Sequence, residues 1–446
     1  TVNLAPADLR KSGATLDVAI AMAVLAATRQ VPVQVLERIL LLGELSLDGA
    51  VRAVRGVLPQ LHGAAARGVE QVIVPAGNAA EAGLASGLDV RVAGSLAEVV
   101  AALTGGRPLS QVAPFHFVPE ADAHRRGDLA EVRGQACARR ALELAAAGGH
   151  NLLLVGPPGS GKTLLARLMP TILPPLGFEE AIECTMLHSV AGLLPSEQGI
   201  IKVRPFRAPH HSISEAGLVG GGDIPRPGEV SLAHNGVLFL DELAEFRRGV
   251  LESLRQPLED GCVCIARARA RAWFPARAVV VAAVNPCPCG YWGHPRRVCR
   301  CTDDVRRRYQ AKLSGPLLDR LDIHITVPPV EVAALTSHAR GESSATVRER
   351  VTRARHRQAE RAQALQLSAK LNAALGNGDL EQVAALDRKG QRLLEAAMNQ
   401  LGLSARAYAK ILRVARTVAD LEAEDSVRAA HVAEAIQCRL FDRDAG

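Results

Sequence analysis

Apolar positions follow different rhythms along the chain, and the changes of rhythm divide it. Between 123 and 330 the continuous apolar runs NLLLV (151–155), GVLFL (236–240) and AVVVAAV (278–284) alternate with helical stretches. A run that is apolar at every position has no solvent face, so it fits a strand buried on both sides of a parallel sheet. That predicts a layered α/β unit over 123–330. From 331 to 446 no run reads as a strand. Apolar positions recur there at helical spacing near 346–365, 388–400, 404–421 and 426–438, with Ser404 and Asp425 where helix caps should stand. Residues 1–105 mix the two patterns and read as α+β. They hold an Ala-rich helical stretch near 16–28, an Asp48-Gly49 hairpin turn between apolar flanks, and a short strand, QVIVP (71–75). GRPLSQVAPFHFVPEAD (106–122) carries three prolines and little period, and reads as a linker.

Candidate chemistry begins where the first buried run ends. GPPGSGKT (156–163) is G-x-x-x-x-G-K-T, placed between a strand and the helical stretch TLLARLM. Gly156, Gly159 and Gly161 let the backbone turn its N–H groups around phosphate oxygens, with Pro157, Pro158 and Ser160 completing the loop. Lys162 can reach the β- and γ-phosphates of ATP, and the Thr163 hydroxyl can ligate Mg²⁺. VLFLDE (237–242) ends a second strand in Asp241, a carboxylate for the same Mg²⁺, and Glu242, a general base for water. Two buried acids in succession point to hydrolysis rather than binding alone; a solvated turn is the plainer reading. AVVVAAVNP ends a third strand at Asn285, whose amide can bond the γ-phosphate or the water, or simply cap a turn.

These segments, together with FRAPHHSIS (206–214), VNPCPCG (284–290) and SGPLLDRLDIHI (314–325), resemble the magnesium-chelatase-like AAA+ proteins, and more closely their ComM/YifB branch. The resemblance implies a P-loop AAA+ αβα core with a helical lid. It also implies a homohexameric ring ATPase with nucleotide between subunits, acting as a DNA helicase in branch migration during natural transformation. Arg320 matches the arginine finger that reaches a neighbour's γ-phosphate; an ion pair with Asp319 or Asp322 is the alternative. Arg406 matches the lid's sensor arginine, with Arg413 and Arg416 on nearby faces. The first unit resembles the C-terminal half of the Lon protease domain. Along KSGATLDVAIAM (11–22) Thr15 falls at the nucleophile position, and Leu58 falls at the lysine position. A hydroxyl without an adjacent base is a weak nucleophile, so no proteolysis is expected. The chain opens at Thr1 in what reads as mid-domain text, and the Lon-like unit is expected to be truncated.

Nine cysteines, with Cys287, Cys289, Cys299 and Cys301 crowded into CPCGYWGHPRRVCRC, favour metal ligands or free thiols over a disulfide framework. Four thiolates can hold Zn²⁺ tetrahedrally, with His294 as a spare ligand; buried or free thiols are the alternative. Tyr291 and Trp292 among Arg296, Arg297 and Arg300 suit single-strand stacking or, equally, rim packing. The net charge of +7 permits a polyanionic partner without demanding one. For that partner the basic stretch 204–222, with His210 and His211, is one place. The other is 262–277, where Arg267, Arg269 and Arg271 are expected on one strand face. Six arginines over 348–361 read as a subunit interface or solvated face. Sequence-independent binding of single-stranded or branched DNA is therefore the partner expectation. Aromatics are 3%, so the cores must be built from Ala, Val and Leu. No apolar run approaches the roughly 18 residues of a membrane span, and no secretory signal opens the chain, so a cytoplasmic location is expected. A chelatase motor subunit, a Lon-type peptidase and a nucleotide-gated scaffold are the competing functions.

Overall fold

The computed structural model describes residues 14–113, 115, 117–121, 127–194, 199–267, 270–330 and 341–439. In the first unit four strands lie in the order β1 (Ile39–Leu41), β2 (Gln71–Pro75), β3 (Asp89–Ala93) and β4 (Ser110–Gln111). The first three are parallel and β4 is antiparallel to β3. Side chains alternate across β2. Ile73 joins Val18 and Met22 of α1 (Asp17–Ala27) and Val99 of α3 (Leu96–Leu103). Val72 and Val74 face Val57 and Leu61 of α2 (Val57–Ala65) on the other side. The Asp48-Gly49 turn closes a small hairpin, Glu44–Leu45 against Val51–Arg52, with Gly49 at φ +83°. Strand β4 falls inside the stretch expected to be a linker. It needs only one partner because it lies at the edge, where a preceding proline is tolerated.

The next unit contains α4 (Ala136–Gly148), β5 (Leu152–Val155), α5 (Lys162–Ile172), α6 (Phe178–Ala191), β6 (Phe206–Arg207) and β7 (Val237–Leu240). It continues with a ribbon, β8 (Cys262–Arg267) and β9 (Ala270–Pro275), then β10 (Val279–Val284), α7 (Asp303–Gln310) and β11 (Ile323–Thr326). Its sheet has the order β11–β5–β10–β7–β6, and all neighbours are parallel. Every residue of β5, β7 and β10 is buried, as continuous apolar runs predict. Leu152, Leu154, Phe239 and Val281 pack towards α4 and α5, while Leu153, Val155, Leu238 and Val280 pack on the opposite face. The two units touch. Leu58 is buried with Leu176, Ala181 and Cys184, and the Gly56 N–H donates to Ser189 Oγ at 2.9 Å.

The C-terminal region is helical: α8 (Ser344–Ala364), α9 (Arg388–Leu401), α10 (Ala405–Leu421) and α11 (Ala429–Gln437). Val347, Val351, Ile411, Val414 and Val418 share one core with α4 and β5, so the lid has no separate interior. Ser404 caps α10 by accepting the Ala407 N–H at 3.2 Å. Asp425 does not cap α11. That helix starts later, after Arg428, whose N–H is taken by His431 Nδ1, and Asp425 instead accepts from Arg357 at 2.6 Å. Most of the α8 arginines meet acceptors within the chain, while Arg353 is exposed. Arg350 pairs with Glu143 and Glu342, Arg361 pairs with Asp420, and Arg348 and Arg355 donate to carbonyls of Thr171 and Ala146. Among the described residues no helix is long and apolar enough to cross a membrane.

Candidate nucleotide site and thiol cluster

Because the five strands run the same way, their C-terminal ends share one edge of the sheet. Gly156, Asp241 and Asn285 follow directly on β5, β7 and β10, the place where open α/β sheets bind ligands. The Gly156 N–H donates to Val284 O at 3.1 Å, fixing the start of the phosphate loop to β10. A Cβ on Gly156 would lie 2.3 Å from Val327 O, so only glycine fits. Gly159 (φ +76°) and Gly161 (φ +89°) face open space. Gly161 hands over to Lys162, the first residue of α5, whose leading N–H groups have no intrahelical acceptor. Ser160 Oγ, in the same loop, is buried without a hydrogen-bond partner.

The Lys162 ammonium is buried and donates to Gly156 O (2.7 Å), Pro157 O (2.9 Å) and Asn285 Oδ1 (3.2 Å). All three acceptors are neutral. Burial lowers its pKa, opposed by the charges of Asp241 and Glu242. Thr163 Oγ1 donates to Asp241 Oδ2 at 2.8 Å. A hydroxyl and a carboxylate oxygen so placed, beside an open loop lined with N–H groups, suit a Mg–triphosphate. Glu242 adopts the left-handed region (φ +51°), and its carboxylate is 3.5 Å from His211 Nδ1. The acids are not buried as the sequence suggested: Asp241 is half-buried and the Glu242 side chain is 55% exposed, because the chain opens to solvent where the strand stops.

The sequence does not mark two residues here as part of the nucleotide site, and it places His211 with a polyanionic partner instead. His211 reaches Glu242 because β6 lies beside β7, so the segment after one strand meets the end of the other. Gln135, also left-handed at φ +55°, donates to Ser160 O and Pro328 O, and its own Oε1 is buried without a partner. No spacing rule links either residue to the loop.

Arg320 and Arg406 lie elsewhere. Arg320 sits before β11, at the N-terminal edge of the sheet, and pairs with Glu259 at 2.6 Å rather than with Asp319 or Asp322. Arg406 is exposed, 3.7 Å from Asp319. Arg413 and Arg416 are tied to the Leu375 carbonyl and to Asp420, so Arg406 alone of the three remains exposed. In the 204–222 stretch, Arg204 and Arg207 are paired with Glu180 and Glu229. The expected single arginine face on the ribbon is not formed. The turn falls between Arg267 and Ala270, so Ala266 opposes Arg271 and Arg267 opposes Ala270, placing Arg267 and Arg271 on opposite faces. Arg269 lies outside the described residues. The small–Arg alternation runs on through this turn and hides it. The ribbon's open face carries Trp273, 57% exposed, with the Arg271 guanidinium 5.0 Å from its ring centre.

Cys287, Cys289, Cys299 and Cys301 converge, with all four Sγ atoms within 4.8 Å of one another. Burial pushes the Cys287 thiol up to about 12, while the Tyr291 N–H pulls Cys289 down to about 6. His294 is not part of the set: its Nδ1 accepts from the Arg296 and Arg297 N–H groups at 3.0 Å.

Family models match along the chain: "Magnesium chelatase, subunit ChlI" over 128–335, its C-terminal companion over 341–439, and "Subunit ChlI of Mg-chelatase" over 1–78. YifB of Salmonella typhimurium is 45% identical over 445 residues, 99% of this chain and 85% of that protein. The chain belongs to the ComM/YifB branch of the magnesium-chelatase-like family. Competence protein ComM of Haemophilus influenzae is also 45% identical, over 99% of the chain and 86% of its own length. Lon protease 2 of Bacillus subtilis is 31% identical over 150 residues, 32% of this chain and 27% of that protein. The mixed α/β fold with its parallel sheet and helical C-terminal region agrees with this membership.

Proposed function

We propose that this chain is an ATP-hydrolysing motor that acts on DNA as a homohexameric ring, promoting branch migration in natural transformation. The observation that carries the reading is the convergence of Lys162, Thr163, Asp241, Glu242 and Asn285 at the ends of three adjacent parallel strands. The loop N–H groups and the start of α5 cradle the phosphates of ATP. Lys162 exchanges neutral carbonyls for the β- and γ-phosphates, a charged partner it lacks within the loop. Thr163 and Asp241 are the residues that would hold Mg²⁺, which neutralises developing phosphate charge when bound. Glu242 takes a proton from water at its carboxylate, and Asn285 orients that water or the γ-phosphate. Zinc on the four thiolates completes the cofactor set.

Arg320 lies beyond one end of β11, while the phosphate loop lies beyond the opposite end of its neighbour β5. At about 3.3 Å per residue the strand alone separates them by more than 10 Å. Arg320 therefore serves a neighbouring subunit's nucleotide, where a guanidinium offsets charge on the transferred phosphoryl group. Arg406, beside it through Asp319, joins it at that boundary. For DNA, the exposed Trp273 offers a face on which bases stack and Arg271 a phosphate contact, neither of which reads sequence. A relative named as a competence protein is in keeping with the transformation part of this reading.

The test is the ATPase rate with and without single-stranded and forked DNA, with strand displacement followed in parallel. Stimulation by DNA and salt-sensitive affinity are expected; a rate indifferent to DNA, without displacement, would leave only the scaffold reading. The family description favours one second reading, the motor subunit of a metal chelatase. ATP-dependent metal insertion into a tetrapyrrole with partner subunits would establish it.

A further inference from the structure

Residues 285–302 join β10 to α7 without helix or strand. Structureless segments longer than about 12–15 residues are uncommon inside a compact unit unless something else holds them. Apolar burial does not: Cys287 is the one apolar side chain of this segment that is buried. What the segment has instead is its thiols. Cys287 lies 3.4 Å from Cys289 and 3.7 Å from Cys299, and Cys289 lies 3.6 Å from Cys299, measured between sulfurs. A zinc ion bound at about 2.3 Å by each sulfur of a tetrahedron sets the sulfurs about 3.8 Å apart. A disulfide would need about 2.05 Å, and an iron–sulfur cluster, with several metals and sulfides between its ligands, would need more room than 4.8 Å. The spacing fits one ion. The Trp292 N–H donates to Cys287 Sγ at 3.3 Å, the kind of outer contact that steadies a metal-bound thiolate.

The segment also presses on the nucleotide site at two points. Asn285, at its start, accepts from Lys162. Gly290 (φ +81°) rests on the phosphate loop so closely that a Cβ there would lie 2.5 Å from Pro158 Cδ. At the far end Arg306 donates to Cys301 O at 3.0 Å and covers Trp292 at 5.6 Å, joining the segment to α7.

We infer that Cys287, Cys289, Cys299 and Cys301 hold one zinc ion, and that this ion pins the segment against Pro158 and Lys162 of the phosphate loop so that nucleotide affinity depends on its presence. The second half rests on the ATP reading above; the first does not. The β5–β10 ladder sets the two strand ends in register. Beyond it, the segment meets the phosphate loop through the Lys162–Asn285 hydrogen bond and the Gly290 contact with Pro158, and these are what the ion holds in place.

The experiment uses the full chain purified under reducing conditions without chelator. Metal analysis is expected to give about one zinc per chain, and Cys299→Ser and Cys287→Ser to lose it. Cysteine substitution itself is controlled by Cys137→Ser, on exposed α4 surface, which keeps its zinc. Cobalt exchanged into the site is expected to show the visible bands of a tetrahedral tetrathiolate. Stripping zinc from the wild-type chain is expected to weaken a fluorescent ATP analogue at least tenfold, with helical circular dichroism unchanged. Added zinc restores binding to the stripped wild type but not to Cys299→Ser. Metal-free protein in which these four thiols all react freely, or iron in place of zinc, overturns the site. Zinc that can be removed without change in analogue binding overturns the coupling and leaves the site. Zinc present in a wild-type chain that binds no nucleotide at all overturns the ATP reading instead.

Discussion

Glu242 is held in left-handed backbone, a conformation that costs a residue with a side chain about 1–2 kcal/mol. Such strain persists where the surroundings impose it, and here it turns the carboxylate towards His211. Glu242→Gln removes the base and keeps the shape. Turnover is expected to fall at least 100-fold while ATP affinity stays within a factor of about two, checked by steady-state hydrolysis and analogue titration. His211 touches the base rather than the phosphates, so His211→Ala is expected to lower kcat roughly tenfold with KM unchanged. Its side chain is only two-thirds covered, so the thermal midpoint should not move. The phosphate loop, Asp241, Glu242 and Asn285 were legible in the sequence because contiguous positions and strand ends carry their meaning locally. His211 and Gln135 were not, since their place depends on which strands become neighbours.

Among the elements, α10 is tied to the sheet by charge as well as by its apolar face. Asp322, just before β11, is buried; burial would raise its pKa, yet Lys410 at 3.0 Å and His150 hold it well below the usual carboxylate range. A depressed carboxyl stabilises the fold above its unfolded value near 4, and that contribution disappears as pH falls through the folded value. Lys410→Met strands the buried carboxylate and is expected to cost about 3 kcal/mol at neutral pH. The deficit should shrink as pH falls towards about 4, where the stranded carboxyl takes up a proton; denaturant unfolding between these pH values measures it. Helical period predicted the lid's helices because their apolar stripes fill one shared core. It could not show that Arg348, Arg350, Arg355 and Arg361 of α8 meet carboxylates and carbonyls of the chain, or that the ribbon turns between Arg267 and Ala270. Charge periodicity looks the same on a solvated face as on one that meets buried acceptors.

At the scale of the molecule, the proposed division of labour between copies is directly testable. Arg320→Ala is expected to bind ATP with near wild-type affinity and to lose at least 100-fold in turnover, the scale of a lost arginine finger. Mixing it with Glu242→Gln chains should restore activity where an intact arginine faces an intact glutamate; if no mixture recovers any hydrolysis, the arginine acts within its own chain. The N-terminal unit was legible as α+β but not as a docked one, because Gly56 and Ser189 meet across 133 positions of sequence and Leu58 is buried with Leu176, Ala181 and Cys184, nearly as remote.

One consequence follows from the shared direction of the five strands. On the proposed reading, a sheet with its phosphate seat on one rim and Arg320, held there by Glu259, on the other is chemically unfinished when alone. Hydrolysis per molecule should then fade on dilution while bound ATP remains, so that the concentration of the chain itself acts as the throttle.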